Sequence, residues 1–256
     1  MRTAMLLGPE VVLTLGAFLV IALDLLMPAG RSRRPLQYVA LVAVIVAGVW
    51  ALVQLPENRP LLSGTVLVDP FSTFFKLIFL ISTALVLLSS GLYAERLRRW
   101  EAEYYAVLLF GTVGLMLLAS AGEFMTLFLA LELSSLAQAF LVCWSKGNLK
   151  ATEAALKYFL ISVLSSAVLL YGVALLYGLT GQTSLAGLAV LLRGSVSAPM
   201  LLAIAMLVAG FGFKIAAVPF QMWTPDVYEA RPRRSPPICR WRRRRRASRW
   251  CCACST

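Results

Sequence analysis

The chain has 256 residues, 60% of them hydrophobic and only 14% charged, with no histidine and five cysteines. A soluble domain is nearer half apolar and about a quarter charged, so a water-facing exterior is hard to build here and lipid must solvate most of the chain. The formal charge of +12 does not mark a nucleic-acid surface, because it is confined to one end: residues 230–256 hold ten arginines and no acid, while the first 229 carry 14 basic against 12 acidic groups.

An apolar helix needs about 20 residues to cross the hydrocarbon core. Runs of that length fall at roughly 9–28, 37–55, 71–93, 104–120, 124–144, 153–179 and 199–220. They predict an all-α, polytopic bundle of about seven transmembrane helices, since only helices satisfy their own backbone in lipid and these runs are too long for barrel strands. The first run follows a segment with one arginine and no small-residue cleavage site, so it reads as an uncleaved helix rather than a signal peptide. The breaks carry turn chemistry: Pro28-Ala29-Gly30, Pro56 with Pro60, Ala121-Gly122, Lys146-Gly147-Asn148 and Gly181. Arg31, Arg33 and Arg34 follow the first run, Arg96, Arg98 and Arg99 the third, and Lys146 and Lys150 the fifth. The intervening loops hold only Arg59 and Arg193. That alternation predicts an N-terminus outside the cytoplasm.

Ionisable groups inside apolar spans cost about 2.5–3.5 kcal/mol at the bilayer centre and so require a partner or a purpose. Glu132 sits near the middle of the fifth run and Lys214 deep in the seventh. Five residues after Lys214, Pro219 cannot donate to the carbonyl of Ile215, which predicts a helix broken in mid-membrane with its negative end near the lysine. Lys157 lies only about one turn inside the sixth run, where its side chain can reach the interface. Depth therefore selects Glu132 with Lys214 as the central pair and sets Lys157 between them and the cytoplasm. An ammonium held between desolvation and a carboxylate is suited to a proton relay. Glu10, Asp24 and Lys76 lie toward the ends of their runs and read as interfacial, without a role. Asp226 and Glu229 follow the broken helix and are candidates for a cytoplasmic vestibule. The body has no glycine-rich phosphate loop or metal-ligand cluster, and no candidate site for NADH, flavin, haem or an iron–sulfur cluster.

The stretches Glu103-Tyr104-Tyr105, Leu131-Glu132-Leu133, Glu153-Ala-Ala-Leu-Lys-Tyr-Phe159, Phe213-Lys-Ile-Ala-Ala-Val-Pro-Phe220 and Trp223-Thr-Pro-Asp-Val-Tyr-Glu229 together resemble the subunit N family of bacterial NADH–quinone oxidoreductase (respiratory complex I), one of its antiporter-like membrane subunits. The resemblance covers residues 1–229. It implies a proton-translocating subunit with no redox centre, the NADH, FMN, iron–sulfur clusters and quinone being bound by other subunits. Its partners would be the other membrane subunits and the lipid bilayer, in the bacterial plasma membrane, with no nucleic acid. It also implies a charged axis at Glu132, Lys157 and Lys214. The family usually has histidine after the proline–phenylalanine of its seventh helix, where this chain has Gln221, which hydrogen-bonds but does not titrate. The implied organisation is three N-terminal helices (1–103), a partial antiporter-like repeat (104–229) and a tail (230–256). The first half of an inverted-repeat fold is thus incomplete.

The tail also holds four of the five cysteines, leaving Cys143 alone in the body. Cys251, Cys252 and Cys254 have no standard zinc spacing. A better account is a lost reading frame. Alanine, glycine and valine codons of a GC-rich gene become arginine, tryptophan and cysteine codons when read one base out of frame. Codons exist for this tail such that restoring one base after Glu229 continues the family pattern with Gly-Ala-Pro-Thr-Pro and a further lysine-bearing helix. On that reading the chain is truncated and is expected not to translocate protons. A cation/proton antiporter subunit and a membrane protein with a genuine nucleic-acid-binding arginine arm are the competing readings.

Overall fold

The computed structural model describes residues 6–27, 34–97, 100–142, 144, 149–191 and 197–221. Asp226, Glu229, Cys143 and the arginine tail lie outside the described residues. The seven expected spans appear as six long helices, α1 (Gly8–Leu26), α2 (Arg34–Val53), α3 (Pro70–Leu97), α4 (Glu101–Ala119), α5 (Phe124–Val142) and α6 (Leu149–Thr180), followed by α7 (Leu185–Leu191) and α8 (Ala198–Lys214). The six long helices are apolar and long enough to span a membrane; α8 is apolar and shorter. Exposed leucines, valines and phenylalanines run along their outer faces, as befits helices whose solvent is lipid.

Two cores hold the bundle. The larger joins Leu13, Ala17 and Val20 of α1 with Leu36 and Ala40 of α2, Leu80 and Leu87 of α3, and Tyr105, Leu109 and Met116 of α4. It runs straight across residue 103, since α4 packs on α1, α2 and α3 as well as on α5. The smaller gathers Leu169, Val173 and Leu176 of α6, Leu188 of α7, and Met200, Ala203 and Leu207 of α8, with Phe124, Phe128 and Leu131 of α5 against it.

One end of the bundle carries a feature that the sequence reading did not anticipate. The connection between α2 and α3 is a hairpin, β1 (Arg59–Leu61) antiparallel to β2 (Val66–Val68), with Leu61 opposite Val66. Backbone bonds then tie this hairpin to two other connections. Leu67 N donates to Ser120 O at 2.7 Å, and Gly122 N to Thr65 O at 2.9 Å. Leu185 N donates to Gly122 O at 3.2 Å, and Phe124 N to Thr183 O at 3.1 Å. A Cβ on Gly122 would collide with the carbonyl of Gly64, so only glycine permits this approach. The side chain of Glu123 adds to the tie, accepting from Thr183 Oγ1 at 3.1 Å. From the same end α3 departs under a reciprocal cap, in which Ser72 N donates to Asp69 Oδ1 and Asp69 N to Ser72 Oγ, with Pro70 in the first helical position.

α8 stops at Lys214, five residues before Pro219, which puts the carbonyl end of the helix at the lysine as expected. Ala216 takes a left-handed conformation (φ 52°); its amide donates to Phe213 O at 3.0 Å and the amide of Ala217 to Gly212 O at 2.8 Å. This is the Schellman pattern with alanine in the place usually held by glycine, and it satisfies carbonyls that a bare helix end would leave open. The chain then folds back so that the Phe220 ring lies against Gly212, where a Cβ would come within 3.1 Å of it. Pro219 and the exposed Gln221 belong to this returning segment.

Candidate functional site

The seventh apolar run places its lysine at the last residue of α8, and the two helices beside it supply the partners. Lys214 Nζ lies 3.1 Å from Glu132 Oε1, and the two side chains are 8% and 23% exposed. The ammonium also donates to Ser135 Oγ at 2.8 Å and Ser162 Oγ at 3.0 Å. Three N–H bonds therefore meet three acceptors, the full complement of an ammonium. Glu132 Oε1 accepts in addition from Ser166 Oγ. Ser135 is anchored in turn, donating to Leu131 O at 2.6 Å.

Local sequence explains why the groups converge. Glu132 and Ser135 are three residues apart and so share a face of α5. Tyr158, Ser162 and Ser166 recur at intervals of four on α6, which makes one buried polar stripe. Glu132 and the Ser162–Ser166 pair lie near the midpoints of α5 (Phe124–Val142) and α6 (Leu149–Thr180), so α8 ends at mid-height beside them. Small residues allow the close approach. A Cβ on Gly210 would lie 2.7 Å from Leu169 Cβ, and Ser165 Oγ donates to Gly210 O at 3.0 Å. The result is a cation at the carbonyl end of a helix, the favourable end of the dipole.

Of the three residues of the expected axis, the structure brings two together. Lys157 stands apart: its side chain is 51% exposed and pairs with Glu153 at 2.9 Å on the outer face of α6. The inner face at that level belongs to Tyr158, which is 5% exposed and whose hydroxyl donates to Gln138 Oε1 at 3.5 Å. The serines, Tyr158 and Gln138 were missed in the sequence, although the four-residue spacing on α6 was a readable signal.

A second correction concerns Glu10 and Lys76. They are buried and paired, not exposed at the ends of their runs. Lys76 Nζ lies 2.6 Å from Glu10 Oε1, with the side chains 0% and 5% exposed. Glu10 is the third residue of α1 and Lys76 the seventh of α3, and at the same end of the bundle Leu6 and Leu7 pack against Leu61, Val66 and Val68 of the hairpin. Proximity to the end of an apolar run is a poor guide when that end is roofed. Among the described residues no group of three or more histidine, cysteine or acidic side chains is placed to hold a metal.

A multi-pass helical membrane protein in which an interrupted helix presents its terminal lysine to a glutamate of a neighbouring span has the architecture of an antiporter-like membrane subunit. Residues 121–235 match the family described as NADH:quinone oxidoreductase/Mrp antiporter, TM. NADH-quinone oxidoreductase subunit N of Desulforamulus reducens is 42% identical over 228 residues, covering 89% of this chain and 48% of the relative. Among solved structures, a chain of respiratory complex I from Thermus thermophilus superposes with a TM-score of 0.70 at 30% identity, over 86% of this chain and 47% of that one. A chain of the archaeal membrane-bound sulfane sulfur reductase superposes with a TM-score of 0.71 at 20% identity, a likeness of fold alone. Over nearly nine-tenths of its own length the chain is similar to subunit N of NADH–quinone oxidoreductases, and it spans about half the length of the curated relatives it matches.

Proposed function

We propose that this chain is the proton-translocating subunit N of a bacterial NADH–quinone oxidoreductase and carries no redox centre itself. NADH, FMN, iron–sulfur clusters and quinone are held by other subunits, and its partners are the neighbouring membrane subunits and lipid. The observation that supports this is the Lys214–Glu132 pair at the free end of α8. Its ammonium is bound on three sides by a carboxylate and two hydroxyls, so a small movement of either helix changes how strongly the proton is held. Proton passage toward the cytoplasm follows the polar stripe of Ser162 and Tyr158 with Gln138, and Lys157 with Glu153 serves the mouth of that route. The N-terminus lies on the non-cytoplasmic side of the plasma membrane.

The test is Lys214→Met in a complex assembled with subunit N whose reading frame has been restored. Proton pumping should be lost while the complex still assembles; unimpaired pumping would sink the proposal. The same family includes cation/proton antiporters, so a subunit of such an antiporter is the second reading. Respiratory genes beside this one favour the first, and antiporter genes the second. Residues 230–256 are read as out of frame, a reading supported by ten arginines and no acid. Sequencing the DNA through codon 229 decides it: an unbroken frame refutes the reading.

A further inference from the structure

The lysine and the glutamate of the central pair stand on different helices, and a third helix supports both. α8 packs chiefly on α6, and α5 packs on α4 and α6, while α5 and α8 touch each other far less. The separation of Lys214 from Glu132 therefore depends on how α6 holds each neighbour.

Adjacent serines of α6 divide that task. Ser166 Oγ donates to Glu132 Oε1 and so holds the α5 member of the pair. Ser165 Oγ donates to Gly210 O at 3.0 Å and so holds the backbone of α8. Both serines are buried. In a regular helix the carbonyl of Gly210 is the one that the amide of Lys214 reaches, so the Ser165 bond falls on the turn that carries the lysine. Its acceptor is not the default one. Thr14, Ser90, Thr112 and Ser120 return their hydroxyls to carbonyls of their own helices, as hydroxyls in helices commonly do.

The seam between α6 and α8 keeps the two backbones close enough for this bond. Ser162, Ser165, Leu169 and Gly172 recur at intervals of three and four and share one face of α6. The antiparallel α8 meets them in reverse order. Ser162 Oγ accepts from the Lys214 ammonium at 3.0 Å. A Cβ on Gly210 would lie 2.7 Å from Leu169 Cβ, and one on Gly172 would lie 3.1 Å from Ala203 O and from Leu207 N. Within this seam Ser165 supplies a hydrogen bond to the α8 main chain itself.

We propose that Ser165 is a positioning residue of the Lys214–Glu132 site. Its bond to Gly210 O fixes the last turn of α8 against α6 beside the point where Ser166 fixes Glu132, and so sets the distance between ammonium and carboxylate. The significance of that distance rests on the reading of the pair as the proton site. Ser165 acts through the helix and not on the proton. Without its hydroxyl the Gly210 carbonyl keeps its bond within α8, so the helix persists and what is lost is its register against α6.

Solid-state NMR of the full chain in phosphatidylcholine vesicles, isotope-labelled at lysine Nζ and glutamate Cδ, tests this through the dipolar coupling between the two nuclei, which falls as they separate. The Lys214–Glu132 coupling is assigned by its disappearance in Lys214→Met, and the Lys76–Glu10 contact supplies an internal reference. Ser165→Ala should weaken the first coupling and leave the second at its wild-type strength. Gly210→Ala adds a methyl that presses α8 away from Leu169 with the Ser165 hydroxyl intact, and it should weaken the first coupling too. A wild-type Lys214–Glu132 coupling in either variant overturns the proposal. A parallel loss of both couplings in Ser165→Ala overturns it as well, because the serine is then a packing residue of the whole bundle. The coupling is measured without pumping. A complex that still pumps with Lys214→Met would remove the proton-site reading and leave this result standing.

Discussion

The two buried lysine–glutamate pairs are opposites in construction. Lys214 meets three acceptors and its partner Glu132 is still 23% exposed. Lys76 meets one carboxylate, and both members are closed off from solvent. A charge at a helix end with hydroxyls around it can be held, loosened and held again. A charge pair sealed between helices with oxygens unpaired has only its partner to rely on. The difference teaches that hydrogen-bond completeness, more than depth, decides how much a buried lysine depends on its glutamate.

The largest effect expected from breaking this contrast is at the sealed pair. Lys76→Met leaves Glu10 buried without a counter-charge, and it should lower stability by about 3–5 kcal/mol. A loss of that size would show in thermal unfolding of the reconstituted chain. Adding Glu10→Gln to it should recover most of that loss, because no isolated charge remains. Lys214→Met should cost less, about 1–3 kcal/mol, because Glu132 keeps its hydrogen bond from Ser166. Equal losses in the two single variants would erase the comparison. Ser162→Ala removes one of three acceptors from Lys214 and should cost about 1 kcal/mol, read in thermal unfolding. The smallest change sharpens the description of the helix end: Ala216→Gly relieves a left-handed alanine and should raise stability by about 1 kcal/mol. A fall in melting temperature would show that the alanine methyl contributes packing there.

Much of this was legible beforehand. Glu132 and Lys214 each lie deep in an apolar run, and depth alone paired them correctly. The spans were readable for the same reason, since an apolar helix in lipid is marked by length. The interruption of the last helix near Lys214 was legible from Pro219, whereas the left-handed Ala216 that shapes the turn was not. Glu10 and Lys76 misled because position within a run measures distance from the run's end, not from water. The hairpin of Arg59–Leu61 and Val66–Val68 lies at that end of the bundle, and its strands, three residues each and one of them containing Pro60, were too short to stand out. Ser135, Ser162 and Ser166 are unremarkable in sequence until α8 arrives to give their hydroxyls a cation.

The position of Lys214 at the tip of α8 has a mechanical consequence. Met200 and Ala203, near the start of that helix, are buried in the smaller core, while the tip ends in a turn whose Ile215 and Val218 are 75% and 80% exposed. A helix of 17 residues is a lever about 25 Å long, so a swing of about 5° about its packed start displaces the tip by about 2 Å. That travel is comparable to the 3.1 Å contact it would stretch. Side chains near the fulcrum would scarcely register the same rotation. The lysine occupies the point of largest displacement, four residues beyond the close Gly210–Leu169 contact that such a rotation would also have to strain.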